Sequence, residues 1–363
     1  MRTYEGRGLG EIYYQVLRDL GSGGEEIVVR GQKCLEFPEP VTLVYTDPGA
    51  CLMRIPNRKF NPFFAMAEVP WILSGDGNAE WIAYFNKNML EFLDEGLEDF
   101  HGSYGMRIRK WPVYTGLEEK SETWVELDQI QHVVRKLRED PFCRQAVISL
   151  WDPVRDNLVK SKDIPCNNSV YLRLRNGVLD QMVVIRSNDL LWGTPHNAIQ
   201  FTHLQALIAG RLGAKMGTLT YVCYNLHYYL DMQNQEMAEA YRRSLGHTLN
   251  AAHSSKTLLA DKPNNFCVAT EDEVRICKEL STKVRNGLSP FLMSGDYWLH
   301  TIPRLLWIYA QAKDHLAPME ALFNSAVLLP KPFPELIVDF WQDSKKPRVQ
   351  ELVNGLRNHF RLA

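Results

Sequence analysis

An α+β fold with an antiparallel-rich sheet and a helical C-terminal extension is predicted by three observations. Val170, Leu172 and Leu174 alternate with Tyr171, Arg173 and Arg175, the two-residue period of a half-buried strand. Asn176-Gly177 follows, the strongest short hairpin signal in the chain, and residues 178–185 supply the return strand. After about residue 235 the apolar positions change to helical spacing, which divides the chain into 1–235 and an extension, 236–363.

The other elements follow in order. Residues 26–37 have strand character, with Ile27, Val28 and Val29 in a row. Residues 63–73 are apolar except for Glu68, and 81–97 form a plausible helix. Val125, Leu127, Ile130, Val133, Val134 and Leu137 keep helical spacing until Asp140-Pro141, because the residue before proline disfavours the helical region. Residues 146–151 read as a short apolar strand, 198–212 as a helix that Gly213 can cap, and 217–224 as another strand. In the extension, Thr270 and Glu273 make a capping box before a helix reaching residue 287. Further helices are expected at 297–313, 320–326 and 348–360, interrupted by the proline-rich 329–334. No internal repeat or low-complexity segment occurs.

With 363 residues, 45% of them hydrophobic, the chain can bury a sizeable core. The formal net charge is -2, from 41 basic and 43 acidic side chains, with no block of one sign. Nucleic acid is therefore not an expected partner, and an anionic ligand would be held by a few placed arginines. The cysteines (Cys34, Cys51, Cys143, Cys166, Cys223, Cys267, Cys277) are odd in number and scattered, without C-x-x-C or histidine at metal spacing. Neither a metal site nor a disulfide framework is indicated. Residues 1–10 carry no apolar signal region and no eighteen-residue apolar run occurs, so a reduced, cytoplasmic protein without a membrane role is expected.

The functional signal concentrates in residues 164–197. Pro165-Cys166 comes first, then Arg186-Ser187-Asn188-Asp189, then Gly193-Thr194-Pro195-His196-Asn197. A pyrimidine C5 is unreactive toward carbon electrophiles, and adding a thiolate to C6 makes it nucleophilic. Cys166 can supply the thiolate and Arg186 the cation that favours it. Arg186 and Ser187 also fit a phosphate clamp, and the Asn197 carboxamide can pair with the O4 and N3–H edge of uracil. Each residue alone has a plainer reading. Cys166 could be a small buried hydrophobe, Arg186 a strand end, Asn197 a helix N-cap, Asp189 a turn residue and Glu68 an exposed helical glutamate.

The ordered set resembles the thymidylate synthase superfamily over roughly residues 10–235, which makes 1–235 the expected catalytic domain. The resemblance implies Cys166 as nucleophile, Glu68 as the proton shuttle to the base and Tyr104 as the group associated with removing the C5 proton. A carboxyl in the apolar surroundings of Glu68 is expected to bind its proton more tightly than usual. The resemblance further implies that Asp189 and Gly193 meet the folate, and that His227 and Tyr229 bind the sugar 3′-hydroxyl. Arg144 would reach the phosphate from the partner subunit of a homodimer, with 5,10-methylenetetrahydrofolate as carbon donor.

The chain departs from the synthases at several points. The family's other phosphate arginine falls on Gly21, and Gln145 replaces the second of two adjacent arginines. Residues 86–110 hold no tryptophan to shield the reactive exocyclic methylene, Asn167 replaces the histidine after the nucleophile, and Ile185 replaces a glutamine. The short apolar tail that closes over the folate gives way to residues 236–363. Water capture, which yields a 5-hydroxymethyl group, is therefore expected over hydride transfer. Deoxyuridylate is the favoured substrate. A divergent thymidylate synthase and a non-catalytic paralogue binding nucleotides or RNA are the alternatives.

Overall fold

The computed structural model describes residues 1–54, 60–114, 124–231, 238, 271–285, 301–314, 317–330 and 333–362. Strand β1 (Arg2–Gly6) leads into α1 (Leu9–Gly23), which buries Leu9, Ile12, Tyr13, Val16, Leu17 and Leu20 at helical spacing. The single strand expected over 26–37 is two, β2 (Glu25–Val29) and β3 (Gln32–Glu36), paired antiparallel. Arg30 and Gly31 lie between them at φ 52° and 79°, and two left-handed residues in succession turn a hairpin tightly.

β4 (Val41–Tyr45) is followed by α2 (Pro62–Leu73). Asn61 caps α2 by accepting the N–H groups of Phe63 and Phe64, and Pro62 sits where its missing N–H costs nothing. Every residue of α2 is buried, Glu68 included. The helix expected over 81–97 breaks into α3 (Ala79–Ala83) and a 3₁₀ turn (Lys87–Phe92). Asn78 and Asn86 each cap a new start, and the 3₁₀ turn buries none of its residues, so no packing holds the stretch as one helix.

α4 (Tyr104–Arg109), β5 (Trp111–Tyr114), β6 (Trp124–Leu127) and α5 (Gln129–Glu139) follow. Asp128 caps α5 by accepting the Gln131 N–H, so Val125 and Leu127 belong to a strand and not to the helix expected there. Next come β7 (Val147–Ser149), α6 (Arg155–Leu158), β8 (Asn167–Arg175) and β9 (Val178–Ile185), with the expected hairpin turn at Asn176 and Gly177. The short β10 (Asn188–Asp189) precedes α7 (Gly193–Leu212), β11 (Lys215–Cys223) and β12 (Leu226–Tyr229). Gly213 ends α7 at φ 64°, as a left-handed cap requires.

One sheet has the order β1-β4-β11-β9-β8-β7. Its β4–β11, β9–β8 and β8–β7 pairs are antiparallel, while β1–β4 and β11–β9 are parallel. The second has the order β10-β12-β3-β2. The fold is thus the expected α+β arrangement with a mixed, antiparallel-rich sheet.

In the extension, α8 (Glu271–Arg285), α9 (Ile302–Asp314), α10 (Met319–Val327), α11 (Phe333–Trp341) and α12 (Pro347–Phe360) are helical. The Thr270 cap, residue 287 and residues 297–300 of the expected helices lie outside the described residues. The extension packs on α2: the Phe63 ring meets Trp341 at 4.6 Å and Tyr309 at 5.0 Å. Arg54 forks onto Asp339 at 2.5 and 2.9 Å, and Trp81 Nε1 donates to Thr282 Oγ1 at 3.1 Å. Phe63 and Glu68, five positions apart, project about 140° from one another around the helix. The extension therefore covers one face of α2 and leaves the carboxylate to another.

Candidate active site

Cys166 ends the segment entering β8, and the Arg186 N–H that follows β9 donates to the Cys166 carbonyl at 2.9 Å. The Arg186 side chain folds back over the same turn. Its Nε donates to the Pro165 carbonyl at 2.8 Å, its Nη2 to the Ile164 carbonyl at 2.9 Å, and Nη2 lies 3.9 Å from Cys166 Sγ. The guanidinium is thereby held beside the thiol. Burial pushes the Cys166 thiol up, and the Arg186 charge works against that. The expected cation is present, while burial makes the thiol harder to ionise than usual.

Tyr104, the first residue of α4, brings its hydroxyl to the residue after the nucleophile. Asn167 donates to the Tyr104 hydroxyl oxygen twice, from its backbone N–H at 3.2 Å and from Nδ2 at 2.8 Å. Asn167 Nδ2 also donates to Asn197 Oδ1 at 3.2 Å, and Asn197 Nδ2 donates to Asn188 Oδ1 at 3.4 Å. Thr194 Oγ1 reaches the same Asn188 oxygen at 3.1 Å. A chain of amides thus sets the orientation of Asn197 and delivers two donors to Tyr104. Burial raises the Tyr104 hydroxyl well above its ordinary range, and the Cys166 charge adds to this while the Asn167 bonds oppose it. Asn197 lies within α7 and does not cap it. The histidine-to-asparagine departure at 167 therefore has a structural consequence, the link from Tyr104 to Asn197.

Glu68 is not the isolated carboxyl the sequence suggests. His196 Nδ1 lies 2.8 Å from Glu68 Oε2, and the imidazole packs against Phe60 and Phe64 at 5.4 and 5.0 Å. His196 adjoins Asn197, so Glu68 joins the same wall through the start of α7. Asp189 pairs in register with His227 across β10 and β12, and its Oδ1 accepts the N–H groups of Leu191 and Trp192 at 2.8 and 3.0 Å. His227 Nδ1 lies 2.6 Å from Asn225 Oδ1, and Asn225 in turn donates to Glu36. The Tyr229 ring stands edge-on to His227 at 5.3 Å. Burial lowers the His227 imidazole and raises the Tyr229 hydroxyl. A Cβ at Gly193 would lie in ordinary van der Waals contact with Asn188 Oδ1, Asp189 Cβ and Asn197 Nδ2, at 3.5, 3.7 and 3.8 Å, so the glycine packs directly against these three residues. Ser187 is half-buried next to Arg186. Arg144 stands apart, exposed in the loop between α5 and β7, with no bond to these groups among the described residues.

The sequence reading missed His196, Asn188 and Arg30. The first two lie inside quoted motifs, without a role until the fold joins them to Glu68 and Asn197. Arg30 occupies the tip of the β2–β3 hairpin, exposed, without an ion-pair or hydrogen-bond partner among the described residues. Its charge is close enough to lower both Cys166 and Tyr229. Among the described residues no cluster of three or more His, Cys, Asp or Glu could hold a metal, and no helix is long and apolar enough to cross a membrane.

A half-buried thiol beneath a guanidinium thus lies beside an amide and phenol chain at the edge of a mixed sheet. The thymidylate synthase family model matches residues 51–270, and the chain belongs to that family. It is 34% identical over 248 residues to the deoxyuridylate hydroxymethyltransferase of Bacillus phage SP01, covering 68% of this chain and 63% of the relative. The deoxyuridylate hydroxymethyltransferase of Pseudomonas phage M6 is 32% identical over 237 residues, covering 65% and 64%. A putative thymidylate synthase of Methanosarcina acetivorans is 26% identical over 232 residues, covering 63% and 89%. The match thus spans less than two thirds of the length of either phage relative.

Proposed function

We propose that the protein transfers one carbon to C5 of a pyrimidine nucleotide, with deoxyuridylate as substrate and a hydroxymethyl group as product. The observation that carries this reading is Cys166 under Arg186, facing the Tyr104–Asn167–Asn197 chain. Arg186 steadies the thiolate as it adds to C6. Asn197, its amide oriented by Asn167 and Asn188, reads the O4 and N3–H edge of the base. Tyr104 takes the C5 proton, and the Glu68–His196 pair holds a proton for the carbonyl side. His227 and Tyr229 address the sugar 3′-hydroxyl, and Ser187 joins Arg186 at the phosphate. Asp189 and Gly193 line the place for the reduced folate, a co-substrate that supplies the carbon of 5,10-methylenetetrahydrofolate.

The names of the two phage relatives support the hydroxymethyl product, and the absence of tryptophan from 86–110 supports access of water. The relatives named thymidylate synthases support the second reading, methylation with release of dihydrofolate. Mass spectrometry after mixing protein, deoxyuridylate and methylenetetrahydrofolate tests the choice. A 5-hydroxymethyl product is expected, whereas an absorbance rise from dihydrofolate with a 5-methyl product would overturn it. A homodimer is part of the proposal. One face of β8, β9 and β11 carries a groove of about 300 Å³ lined by Tyr171, Arg173, Asp180, Met182, Thr218 and Thr220, a surface on which a second copy would bring its Arg144 into play.

Arg30 takes the phosphate role left vacant at Gly21. Arg30→Ala is expected to raise KM for deoxyuridylate about tenfold, the worth of one charge-assisted hydrogen bond, with kcat little changed. Steady-state kinetics on deoxyuridylate and on deoxyuridine, which has no phosphate to lose contact with, check the assignment. An equal loss on both would remove it.

A further inference from the structure

Asp163 lies three residues before Cys166 and has no part in the roles above. Its Oδ2 accepts the Gly102 N–H at 2.8 Å. Gly102 must lack a side chain for this, because a Cβ there would fall 2.7 Å from the Asp163 carbonyl oxygen and 2.9 Å from Oδ2. Gly102 and Ser103 lead into α4, which begins with Tyr104, so one contact ties the segment that carries the nucleophile to the start of the helix that carries the phenol. The segment is pinned from its other side as well. The Asp163 N–H donates to Ser161 Oγ at 3.0 Å, and the Lys162 N–H to Asp94 Oδ1 at 3.0 Å.

The cations nearby are committed elsewhere. Arg107 forks onto Asp156 at 2.7 Å through each terminal nitrogen, and His101 Nε2 lies 2.9 Å from the same carboxylate. No ion pair reaches Asp163 among the described residues, and its Oδ1 has no hydrogen-bond partner among them. Its charge is nevertheless close enough to be felt by both Cys166 and Tyr104. Burial raises the Asp163 carboxyl, against the Gly102 N–H and the more distant charges of Arg107 and His101, which makes it a stronger base than an ordinary carboxylate. Capping one N–H requires an acceptor and nothing more. A partly buried carboxylate with no cation in direct contact, three residues before the nucleophile, is a costly way to provide one.

We propose that Asp163 is the base that takes the proton from the water adding to the exocyclic methylene carbon. The proposal rests on the hydroxymethyl reading above. The water oxygen bonds to that carbon as one O–H bond breaks, and the proton passes to the Asp163 carboxylate. The C=CH₂ pair moves into the C4 carbonyl as an enolate. The enolate then re-forms the ring C5=C6 bond and expels the Cys166 thiolate, and Asp163 returns its proton to solvent. No electrons are gained or lost, and the folate has already left the carbon.

Asp163→Asn keeps an acceptor for the Gly102 N–H and removes the base. Calorimetry with deoxyuridylate alone is expected to give Kd within about twofold of the unaltered protein. Release of tritium from C5 in a single turnover is expected to stay within about threefold, while hydroxymethyl product falls about 100-fold, the typical worth of a general base. Intact-mass measurement should find the nucleotide adduct retained on Cys166. Added 2-mercaptoethanol, a nucleophile that supplies its own thiolate, should release the matching thioether. Asp163→Ser, smaller and neutral, should divide the steps the same way. Hydroxymethyl product at the unaltered rate, or tritium release that falls as far as the product, overturns the proposal. If the unaltered protein makes the 5-methyl nucleotide, the reading beneath it fails, and the role of Asp163 fails with it.

Discussion

The Cys166→Ala protein is expected to release no tritium from C5 of deoxyuridylate above the uncatalysed rate, a loss on the order of 10⁴-fold or more, because the ring is activated through this one bond. Binding should survive. Arg186 is held by the carbonyls of Pro165 and Ile164 and not by the thiol, so its fork keeps its place when the sulfur is removed. Isothermal titration with deoxyuridylate is therefore expected to give Kd within about threefold of the unaltered protein, which separates a lost nucleophile from a lost site. Release that persists in the variant would remove covalent addition by Cys166 from the mechanism.

Asp156→Ala is expected to cost about 3–5 kcal/mol of stability. Asp156 is fully enclosed and accepts both terminal nitrogens of Arg107, which is itself 4% exposed. It also accepts the Asp152 N–H at 2.8 Å. Removing the carboxylate strands a buried guanidinium, whose remaining terminal partners are the carbonyls of Leu150 and His101. Burial pushes the Asp156 carboxyl up, but the Arg107 fork, the Asp152 N–H and His101 together hold it below the usual carboxylate range. A carboxyl depressed in the folded state contributes fully above its unfolded value and loses that contribution as pH falls through the folded one. Urea denaturation at neutral pH should show the full difference between the two proteins, and the gap should narrow in acid. A difference under about 1 kcal/mol at neutral pH would contradict the assignment.

The arrangement of the candidate site was legible where residues close in sequence are also close in space. Pro165-Cys166, Arg186-Ser187 and the Gly193–Asn197 stretch lie at the ends of β8, β9 and β10 or at the start of α7, so their order already implied one wall. The hairpin at Asn176-Gly177 was equally plain, because both turn residues tolerate the left-handed region. Arg30 was lost inside a supposed strand, since a basic residue at positive φ announces a turn far more weakly than asparagine does. Asp163 and Gly102 stand 61 positions apart, and no local pattern shows that a glycine in one segment makes room for a carboxylate in another. Glu68 was correctly seen as buried, while its partner His196 comes from 128 positions away. The helix over 81–97 failed for a local reason, two successive asparagine caps that restart the chain.

Strand β4 bears on how the protein is born as well as how it stands. Its two neighbours are β1, already synthesised, and β11, whose Cys223 pairs with Val41. The centre of the larger sheet therefore cannot close until the ribosome has passed β11. At about 5–20 residues per second, Val41, Leu43 and Tyr45 wait on the order of ten to forty seconds for their partner. All three are apolar and end fully enclosed. During synthesis they form an open strand edge, the kind of surface on which nascent chains stick to one another or are held by chaperones.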